Sequence, residues 1–516
     1  MLSEGRLMRR RTIWPTVAAV AILASACGST VQSRQAVEVG GAQSGLGTTA
    51  DGTGTGGSGL SGTTTTGGQG STGSAGAVGS SSGGGGFGGA SGGSGTATGS
   101  GTGSAGGSSG APGSQTNVSK TGSIKVGYMY TSDQQAVAEQ VGAKGIVPGD
   151  TGAQYRAIAA DLNKRGGILG HKVELIGHNY STAGELNNAS DEENKACTDF
   201  VQDRPVFAVL GGGYVFLAPC LAKHGIPSVG GGGIEDPATI NSQLLYDGGG
   251  MLIDVLARAF VDRLAAQRYF TGWNTVTGAP GPAPVKIGLI YQDIPLYRHY
   301  FADIKARLKS HGFTVDPADE FLYSPTVDGV ATQSQAAVLK FGSDGVTHVF
   351  GAALLFFKAA QNQNYHPRYG LDSAVPPALL AQNIGASQLR GALAIGWRPT
   401  QDVDQAQDPG PVSPLATRCT KIIKDSGQDV SARTVVYLSH VECEQLWSLA
   451  AALERGGTLS LAAVTAGFDT LGQPTPVVSF GERWAGDRHA SNTTVADLGY
   501  VESCSCFKYT RARTSF

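Results

Sequence analysis

Glycines and hydroxyl-bearing side chains stand directly after several apolar segments of the chain. The positions with this placement are Tyr130, Ser132, Gly213, Tyr214, Gly233, Ile234 and Glu235. A glycine run before a helix, such as residues 211–213, lets a ligand approach free peptide N–H groups, which favour a carboxylate. The pattern indicates that a small solute is bound without chemistry. The alternative is that the glycine runs form plain turns, the tyrosines pack as ordinary half-buried residues and Glu235 is a solvated loop residue.

Motifs of common catalytic sites are missing from the sequence after residue 118. There is no His-Glu-x-x-His and no Gly-x4-Gly-Lys-Ser/Thr phosphate loop. None of the nine histidines stands at zinc-ligand spacing with a cysteine pair. A serine-hydrolase pattern at residues 106–110 lies in a glycine-rich segment that cannot supply the required strand and helix. We therefore expect neither an enzyme nor a site for a metal or cofactor.

From residue 124 onward, apolar segments of strand length alternate with segments of helical spacing. The first run predicts strands at 124–130, 172–177, 206–210 and 226–230, with helices at 154–164, 188–202 and 216–224. The second run predicts helices at 252–266, 300–311, 332–341 and 354–360, with strands at 285–291, 314–316, 348–351, 376–382 and 392–396. This alternation predicts an α/β protein whose mainly parallel sheets are flanked by helices and bind ligand at the carboxyl ends of the strands.

The amino-terminal residues 1–27 are typical of a signal peptide. A basic segment with Arg6 and residues 9–11 precedes the mostly apolar residues 13–26, which are too few to span a bilayer as a helix. Small residues then lead into Cys27, as in the bacterial lipoprotein box, where the cysteine is acylated. We expect a lipid anchor on Cys27 at the outer face of the cell membrane. Ordinary secretory cleavage, with Cys27 unmodified, is the alternative.

Residues 28–118 have the composition of a disordered tether. Between residues 40 and 114 there are 32 of the chain's 78 glycines and one charged side chain, Asp51. Such a segment cannot bury enough apolar surface to offset its conformational entropy. The formal net charge of −2 shows no basic surface of the kind that nucleic-acid binding requires, so we expect no nucleic-acid partner.

One stretch of the sequence resembles a known family. Residues 124–127, residues 157–163 and the exit Gly-Gly-Ile-Leu-Gly at 166–170 are similar to the opening of type I periplasmic binding proteins, in particular the leucine/isoleucine/valine-binding family. The segments 225–229 and 449–456 extend the likeness over nearly everything after residue 122. The resemblance implies a two-lobed clamshell that closes on a small ligand and passes it to the permease subunits of an ABC transporter.

The same resemblance implies the lobe bounds and two more ligand contacts. Lobe 1 would be residues 123–248 plus 386–475, and lobe 2 residues 249–385 plus 476–516. Tyr297 matches a family aromatic that packs on the ligand, and Gln382 lies where the family has an acid that meets an ammonium group. Because that acid is absent, the resemblance does not specify an amino acid as the ligand.

Six cysteines remain besides Cys27, and six allow 15 pairings. With the lobes assigned as above, the cysteines fall into pairs on neighbouring elements. The implied disulfide bonds join Cys197 with Cys220, Cys419 with Cys443, and Cys504 with Cys506.

The sequence thus predicts an extracytoplasmic solute-binding lipoprotein of an ABC importer. Its solute would be an amino acid or a related amide or organic acid. The alternative function is a ligand-sensing surface receptor or adhesin of the same fold, without a role in transport.

Overall fold

The computed structural model describes residues 122–140, 142–230, 233–324 and 327–516, which all fall in one compact unit. The predicted signal peptide, Cys27 and the tether lie outside the described residues. No helix within the described ranges is both long and apolar enough to cross a membrane.

The first sheet consists of five parallel strands in the order β2-β1-β3-β4-β5. These strands are β1 (Ser123–Tyr130), β2 (Lys172–Asn179), β3 (Ala208–Leu210), β4 (Ser228–Val229) and β5 (Leu245–Tyr246). Their carboxyl ends share one edge, so Tyr130 and the glycines after β3 come together there.

The second sheet has eight strands in the order β7-β6-β8-β9-β10-β11-β12, with β13 paired to β11. They are β6 (Ile287–Gln292), β7 (Glu320–Tyr323), β8 (His348–Phe350), β9 (Arg368–Asp372), β10 (Leu393–Gly396), β11 (Thr494–Val501), β12 (Cys506–Tyr509) and β13 (Thr514–Ser515). Strands β6 to β10 are parallel, and β11 to β13 add antiparallel pairings at the far side. Two-stranded pairs also join Ile234–Glu235 to Met251–Leu252 and Trp273–Asn274 to Ala279–Pro280, the latter within the glycine- and proline-rich segment 271–284.

Helices cover both sheets. Before residue 250 they are α1 (Gln134–Gln140), α2 (Thr151–Lys164), α3 (Thr182–Thr198), α4 (Leu217–Lys223) and α5 (Pro237–Ile240). The middle of the chain has α6 (Ile253–Ala266), α7 (Pro295–Ser310), α8 (Val327–Asp344), α9 (Leu354–Asn362), α10 (Pro377–Asn383), α11 (Ala386–Leu389) and α12 (Pro399–Asp402). The last helices are α13 (Pro414–Asp425), α14 (Arg433–Gly456) and α15 (Leu461–Leu471).

Helix α2 shows how local sequence sets an element's ends. The Asp150 carboxylate accepts a hydrogen bond from the Ala153 N–H at 2.8 Å, which caps the helix start. After Lys164 the chain leaves the helix through Gly166 and Gly167, both at positive φ, where glycine avoids the strain of a side chain.

The chain crosses between the two sheets more than once. Helices α13 to α15 come late in the sequence, yet Cys419, Leu446 and Phe468 share a buried core with Val126 of β1. Each sheet with the helices on it therefore forms a lobe built from separate stretches of chain. Strand β10, which the sequence-derived bounds put in lobe 1, pairs instead with β9 and β11 in the second sheet. The other bounds of the lobes stay a prediction.

Helix α1 and the segment after it fasten the first lobe to the second. Ala143 and Ile146 lie in the buried core of the second sheet. The Asn383 amide accepts a hydrogen bond from the Lys144 N–H at 2.8 Å and donates one to the Lys144 carbonyl at 3.0 Å. This segment stands between β1 and α2 in the sequence, so it ties the carboxyl edge of the first sheet to α10.

Two strands expected from the sequence are wrong. Most of residues 376–382 belongs to helix α10, because Pro377 at the first helical position and the following Ala and Leu residues favour a helix. Residues 314–316 precede a short 3₁₀ turn that the Asp316 side chain caps, and the strand begins only at Glu320. In addition, α3 begins at Thr182, where Ser181 caps it, and it is kinked at Asn188, so the helix expected from residue 188 corresponds to its second part.

Three disulfide bonds are present, and they are the three implied by the family resemblance. They join Cys197 to Cys220, Cys419 to Cys443, and Cys504 to Cys506. The first two tie neighbouring helical segments of the first lobe, and the third closes the turn before β12. Bridges of this kind suit a protein that folds in an oxidising compartment.

We predict that a Cys27→Ser variant has no free thiol under denaturing, non-reducing conditions. All the other cysteines are paired, so an aromatic disulfide reagent should titrate none before reduction. The control is the same sample after reduction, which should give six thiols from the seven cysteines of the native chain. Two or more thiols before reduction would contradict the pairing.

Candidate functional site

A cavity of about 170 Å³ lies between the two lobes. On one side are Tyr130 and Thr131 at the end of β1 and Gly213 and Tyr214 after β3. On the other is the turn after β9, with Ser373 and Ala374. One face of α14 closes the cavity, and its contributing residues are Tyr437, Leu438, Val441, Glu442 and Gln445.

The wall on the first lobe is mainly aromatic. The rings of Tyr180 and Tyr214 pack edge to face with centroids 5.6 Å apart. The Tyr155 hydroxyl donates a hydrogen bond to the Gln445 side-chain oxygen at 2.6 Å, which fixes the amide against the cavity. Rigid tyrosines of this kind offer flat apolar faces with hydroxyls at their edges, as in many small-molecule sites.

Arg398 brings a positive charge into this cavity. It follows β10 and Trp397, and only 6% of its surface is exposed. Its guanidinium donates to the Tyr437 hydroxyl at 3.3 Å and to the Gly249 carbonyl at 3.4 Å. Among the described residues, no carboxylate lies within 4.0 Å of the guanidinium, and its Nε has no hydrogen-bond partner. Asp402, whose carboxylate accepts from the Arg398 backbone N–H, attracts the guanidinium electrostatically but makes no ion pair with it. A buried cation without a direct ion pair is unfavourable, so the cavity is complementary to an anion.

Asp402 on α12 fixes the backbone where the chain leaves β10. Its carboxylate accepts hydrogen bonds from the Arg398 N–H at 2.9 Å, the Ser373 hydroxyl at 2.6 Å and the Tyr509 hydroxyl at 2.8 Å. Burial raises the pKa of Asp402 to about 7, and these hydrogen bonds lower it only in part. The network joins the cavity-lining turn of the second lobe to the arginine.

Three further polar groups of the cavity have an atom without a partner. Glu442 is 4% exposed, and burial raises its pKa well above the ordinary value, which favours its neutral form. Its Oε2, the hydroxyl of Thr151 and the side-chain oxygen of Gln401 have no hydrogen-bond partner among the described residues. Buried polar atoms are rarely left unsatisfied, so these atoms point to a polar ligand or to water.

A family model described as periplasmic binding protein matches residues 142–496. The chain is a type I periplasmic binding protein. Membership of this family implies an extracytoplasmic location. A search among curated proteins found no match to the chain.

Solved structures share the fold at low sequence identity. A possible leucine/isoleucine/valine-binding protein from Rhodopirellula baltica is 16% identical, with a TM-score of 0.52, over 76% of this chain and 96% of that one. A leucine-binding protein from Thermotoga maritima is 11% identical, with a TM-score of 0.53, over 76% and 99%. A fatty acid ABC transporter substrate-binding protein from Thermomonospora curvata is 13% identical, with a TM-score of 0.53, over 77% and 94%. At this identity the likeness shows the fold alone.

Three of the sequence-derived site residues of this periplasmic binding protein line the interlobe cavity: Tyr130, Gly213 and Tyr214. Ser132 is not among the lining residues, and its hydroxyl accepts a hydrogen bond from the Asn179 amide at 3.2 Å. Ligand contact by any of these residues stays a prediction.

The segment after β4 has a different role from the one expected. Gly233 lies at positive φ directly against the Arg398 guanidinium, where a Cβ atom would overlap it. Ile234 and Glu235 are buried and pair with Met251–Leu252, and neither lines the interlobe cavity. Through Gly233, this segment therefore packs against the Arg398 guanidinium and holds it in position.

The two residues expected to contact the ligand from the second lobe do not line the interlobe cavity. Tyr297 lines a separate cavity within the second lobe, and Gln382 lines a third one, where it contacts Gly145. Neither of these two cavities is isolated from the interlobe one. Ala374 lines both the interlobe cavity and that of Tyr297, and Tyr437 borders both the interlobe cavity and that of Gln382.

The sequence analysis missed Arg398, Glu442 and Ser373. Arg398 comes two residues after β10 and Ser373 directly after β9. Both therefore stand at the carboxyl ends of strands, where the sequence analysis expects ligand contacts. Ser373 was not predicted as a site residue because residues 368–372 were not predicted to form a strand. Glu442 lies inside a long helix, where a single acid carries no sequence signal for a cavity.

We predict that Asp402→Asn flattens the pH dependence of stability between about pH 4 and pH 7. In this window the native state keeps a proton on Asp402 that the unfolded state has lost, because burial raises the pKa from its ordinary 3.8 to about 7. The stabilisation is complete below about pH 4 and is lost as the pH rises through about 7. At about 1.4 kcal/mol per pKa unit, the change amounts to a few kcal/mol.

Chemical denaturation followed by circular dichroism across this window measures the effect. Asp425→Asn, on the exposed end of α13, is the matched control and should keep the wild-type slope. Equal slopes for the wild type and Asp402→Asn would contradict the assignment.

Proposed function

We propose that the protein is an extracytoplasmic solute-binding protein of an ABC importer and that its solute is a small organic carboxylate. The observation that carries this proposal is Arg398, a buried guanidinium that lines the interlobe cavity with no carboxylate of the described residues within 4.0 Å. An anionic solute would supply the missing counter-charge.

The fold relatives support the choice of a carboxylate. One structure of this fold is named a leucine-binding protein and another a fatty acid substrate-binding protein. Leucine and fatty acids differ in size and in their remaining groups, but both carry a carboxylate. A guanidinium recognises that group through two parallel N–H donors.

The other cavity groups fit the same ligand. Glu442, whose neutral form burial favours, and the hydroxyl of Thr151 can each donate a hydrogen bond, and a carboxylate oxygen accepts from either. Closure of the lobes around the solute excludes water, which strengthens each of these contacts. The aromatic wall of the first lobe then packs on the rest of the solute.

Delivery to a permease follows from the sequence. The signal peptide and the lipoprotein-type Cys27 would anchor the protein to the membrane, and the tether of residues 28–118 would let the lobes reach the permease. With an r.m.s. reach of about 5–6 Å × √n, such a tether spans roughly 50 Å.

We predict that carboxylates stabilise the protein and that their neutral amides do not. A thermal-shift screen over organic acids, amino acids, sugars and the matched amides should raise the unfolding temperature only with molecules that bear a free carboxylate. Equal shifts for acids and amides, or no shift with any acid, would contradict the proposal. If no compound in the screen shifts the unfolding temperature and the protein binds a protein partner, the result would favour a receptor or adhesin.

Arg398→Met should weaken binding of any acid found in this screen by at least about 30-fold, since loss of a buried charge pair costs about 2 kcal/mol or more. Arg390→Met is the matched control, because Arg390 pairs with Glu502 at the surface. Calorimetric titration measures both variants. Unchanged affinity in Arg398→Met would remove the arginine from the site.

We also predict that Cys27→Ser releases the protein from the membrane. Acylation requires the cysteine thiol, so the variant should appear in the soluble extracytoplasmic fraction and lose label from a radioactive fatty acid. Wild-type protein that takes up no label would favour ordinary secretory cleavage.

A further inference from the structure

A second cavity, here called the tyrosine pocket, opens at the carboxyl edge of the second sheet. Its volume is about 50 Å³, and the rings of Tyr291, Tyr297, Tyr300 and Tyr323 form much of its wall. Gln292 and Asp372, at the ends of β6 and β9, also line it. The pocket is therefore mainly aromatic, with a few polar atoms at defined places.

The tyrosine pocket adjoins the interlobe cavity along one short turn. Asp372 lines the tyrosine pocket, Ser373 lines the interlobe cavity, and Ala374 lines both. These three residues are consecutive, and the side chain at the shared position is a single methyl group. Only this turn separates the two cavities at Ala374, so a ligand that occupies both would pass its methyl group.

The size of the pocket limits what can enter. A water molecule needs about 10–15 Å³ by the same measure, so the pocket admits roughly three to five water-sized groups. A chain of about four carbon atoms has this size, whereas a cavity that holds a benzene ring is about three times larger. Aromatic walls pack well on such a chain.

The polar atoms of the pocket select an uncharged group. Asp372 already accepts hydrogen bonds from the Tyr300 hydroxyl at 2.8 Å and from the Ala374 N–H at 2.8 Å. Burial raises the pKa of Asp372, which favours its neutral form. The pocket therefore offers no ready counter-charge to a cationic group.

One acceptor in the pocket is left open. Gln292 is 2% exposed, and its Oε1 has no hydrogen-bond partner among the described residues. A buried amide oxygen without a donor is costly, so a ligand that brings an N–H or O–H group to it gains affinity. An alkyl or aryl group with no donor would leave this oxygen unsatisfied.

We propose that the tyrosine pocket receives the far end of the same ligand whose carboxylate binds Arg398. The ligand class is a short-chain carboxylate that carries one uncharged hydrogen-bond donor, such as a hydroxyl, at the end opposite the carboxylate. This proposal rests on the proposed function, because it needs the carboxylate at Arg398.

Calorimetric titration of the full chain with three probes tests it. The probes are acetate, heptanoate and 7-hydroxyheptanoate. The two longer acids should bind at least about tenfold more tightly than acetate, and the hydroxylated acid should bind more tightly than the plain one. In Gln292→Leu the preference for the hydroxyl should disappear.

Ala374→Leu should block the route from the interlobe cavity into the tyrosine pocket. We expect it to weaken both longer acids at least about tenfold more than it weakens acetate. Ala302→Leu makes the same change on the exposed side of α7 and should alter none of the three affinities. Tyr297→Ala, at a half-buried position, removes a wall of the pocket without adding bulk, so it gives the same selective loss if Ala374→Leu does not fold.

The outcomes separate the two proposals. If the acids bind through Arg398 but Ala374→Leu and Tyr297→Ala affect acetate and the longer acids equally, the tyrosine pocket is not part of the site and the proposed function stands. The same holds if the longer acids bind no better than acetate. If no acid binds, or if Arg398→Met binds all three as the wild type does, the proposed function fails and this inference fails with it.

Discussion

The guanidinium of Arg398 is buried where the chain crosses between the lobes, and no carboxylate of the described residues lies within 4.0 Å of it. Removing such an ion from water costs several kcal/mol unless a counter-charge or strong hydrogen bonds compensate. Neutral partners, the Tyr437 hydroxyl and the Gly249 carbonyl, compensate in part. Much of the surrounding structure holds this cation in place. Gly233 leaves room for it, Trp397 anchors the strand end before it, and Asp402 binds its backbone.

The same crossing also connects the two lobes. Asp402 binds Ser373 of the second lobe and Tyr509 of β12, so the turn after β9 is tied to the carboxyl-terminal strands. On the opposite side, Lys144 and Asn383 join the segment after α1 to α10. The cavity therefore lies between two cross-connections that come from distant parts of the sequence.

The sequence allowed the alternation of strands and helices to be predicted, because the apolar periods are clear in most segments. It also allowed the first-lobe wall at Tyr130, Gly213 and Tyr214 to be predicted, because these residues follow strands whose carboxyl ends meet at one edge. The second lobe was harder. Residues 376–382 are as apolar as a strand, and only Pro377 at a helix start shows the difference, so the true strand β9 and its turn were overlooked.

The remaining site residues could not be found from sequence patterns because they come together only in the fold. Glu442 and Gln445 stand on the face of α14 that turns toward the cavity, which depends on how α14 packs on the first sheet. Gly233 was predicted to contact ligand because glycine permits close approach, and that reason is correct, but the group that approaches is Arg398. A glycine in the sequence indicates that another group approaches the backbone closely, but it does not identify that group.

The ionisable groups that line the two cavities favour a simple acid over a zwitterion. Burial raises the pKa of both Glu442 and Asp372, which favours their neutral forms, while a guanidinium stays charged under all ordinary conditions. The cavities therefore present one positive charge and carboxyl groups whose neutral form is favoured, which a monoanion neutralises. An amino acid would bring an additional ammonium group, and pairing it would require one of the buried carboxyl groups to ionise. That ionisation costs about 1.4 kcal/mol for each unit by which the pKa exceeds the ambient pH. A carboxylate whose other end is uncharged avoids this cost, and for that reason the electrostatics of the site and the open acceptor on Gln292 select the same class of ligand.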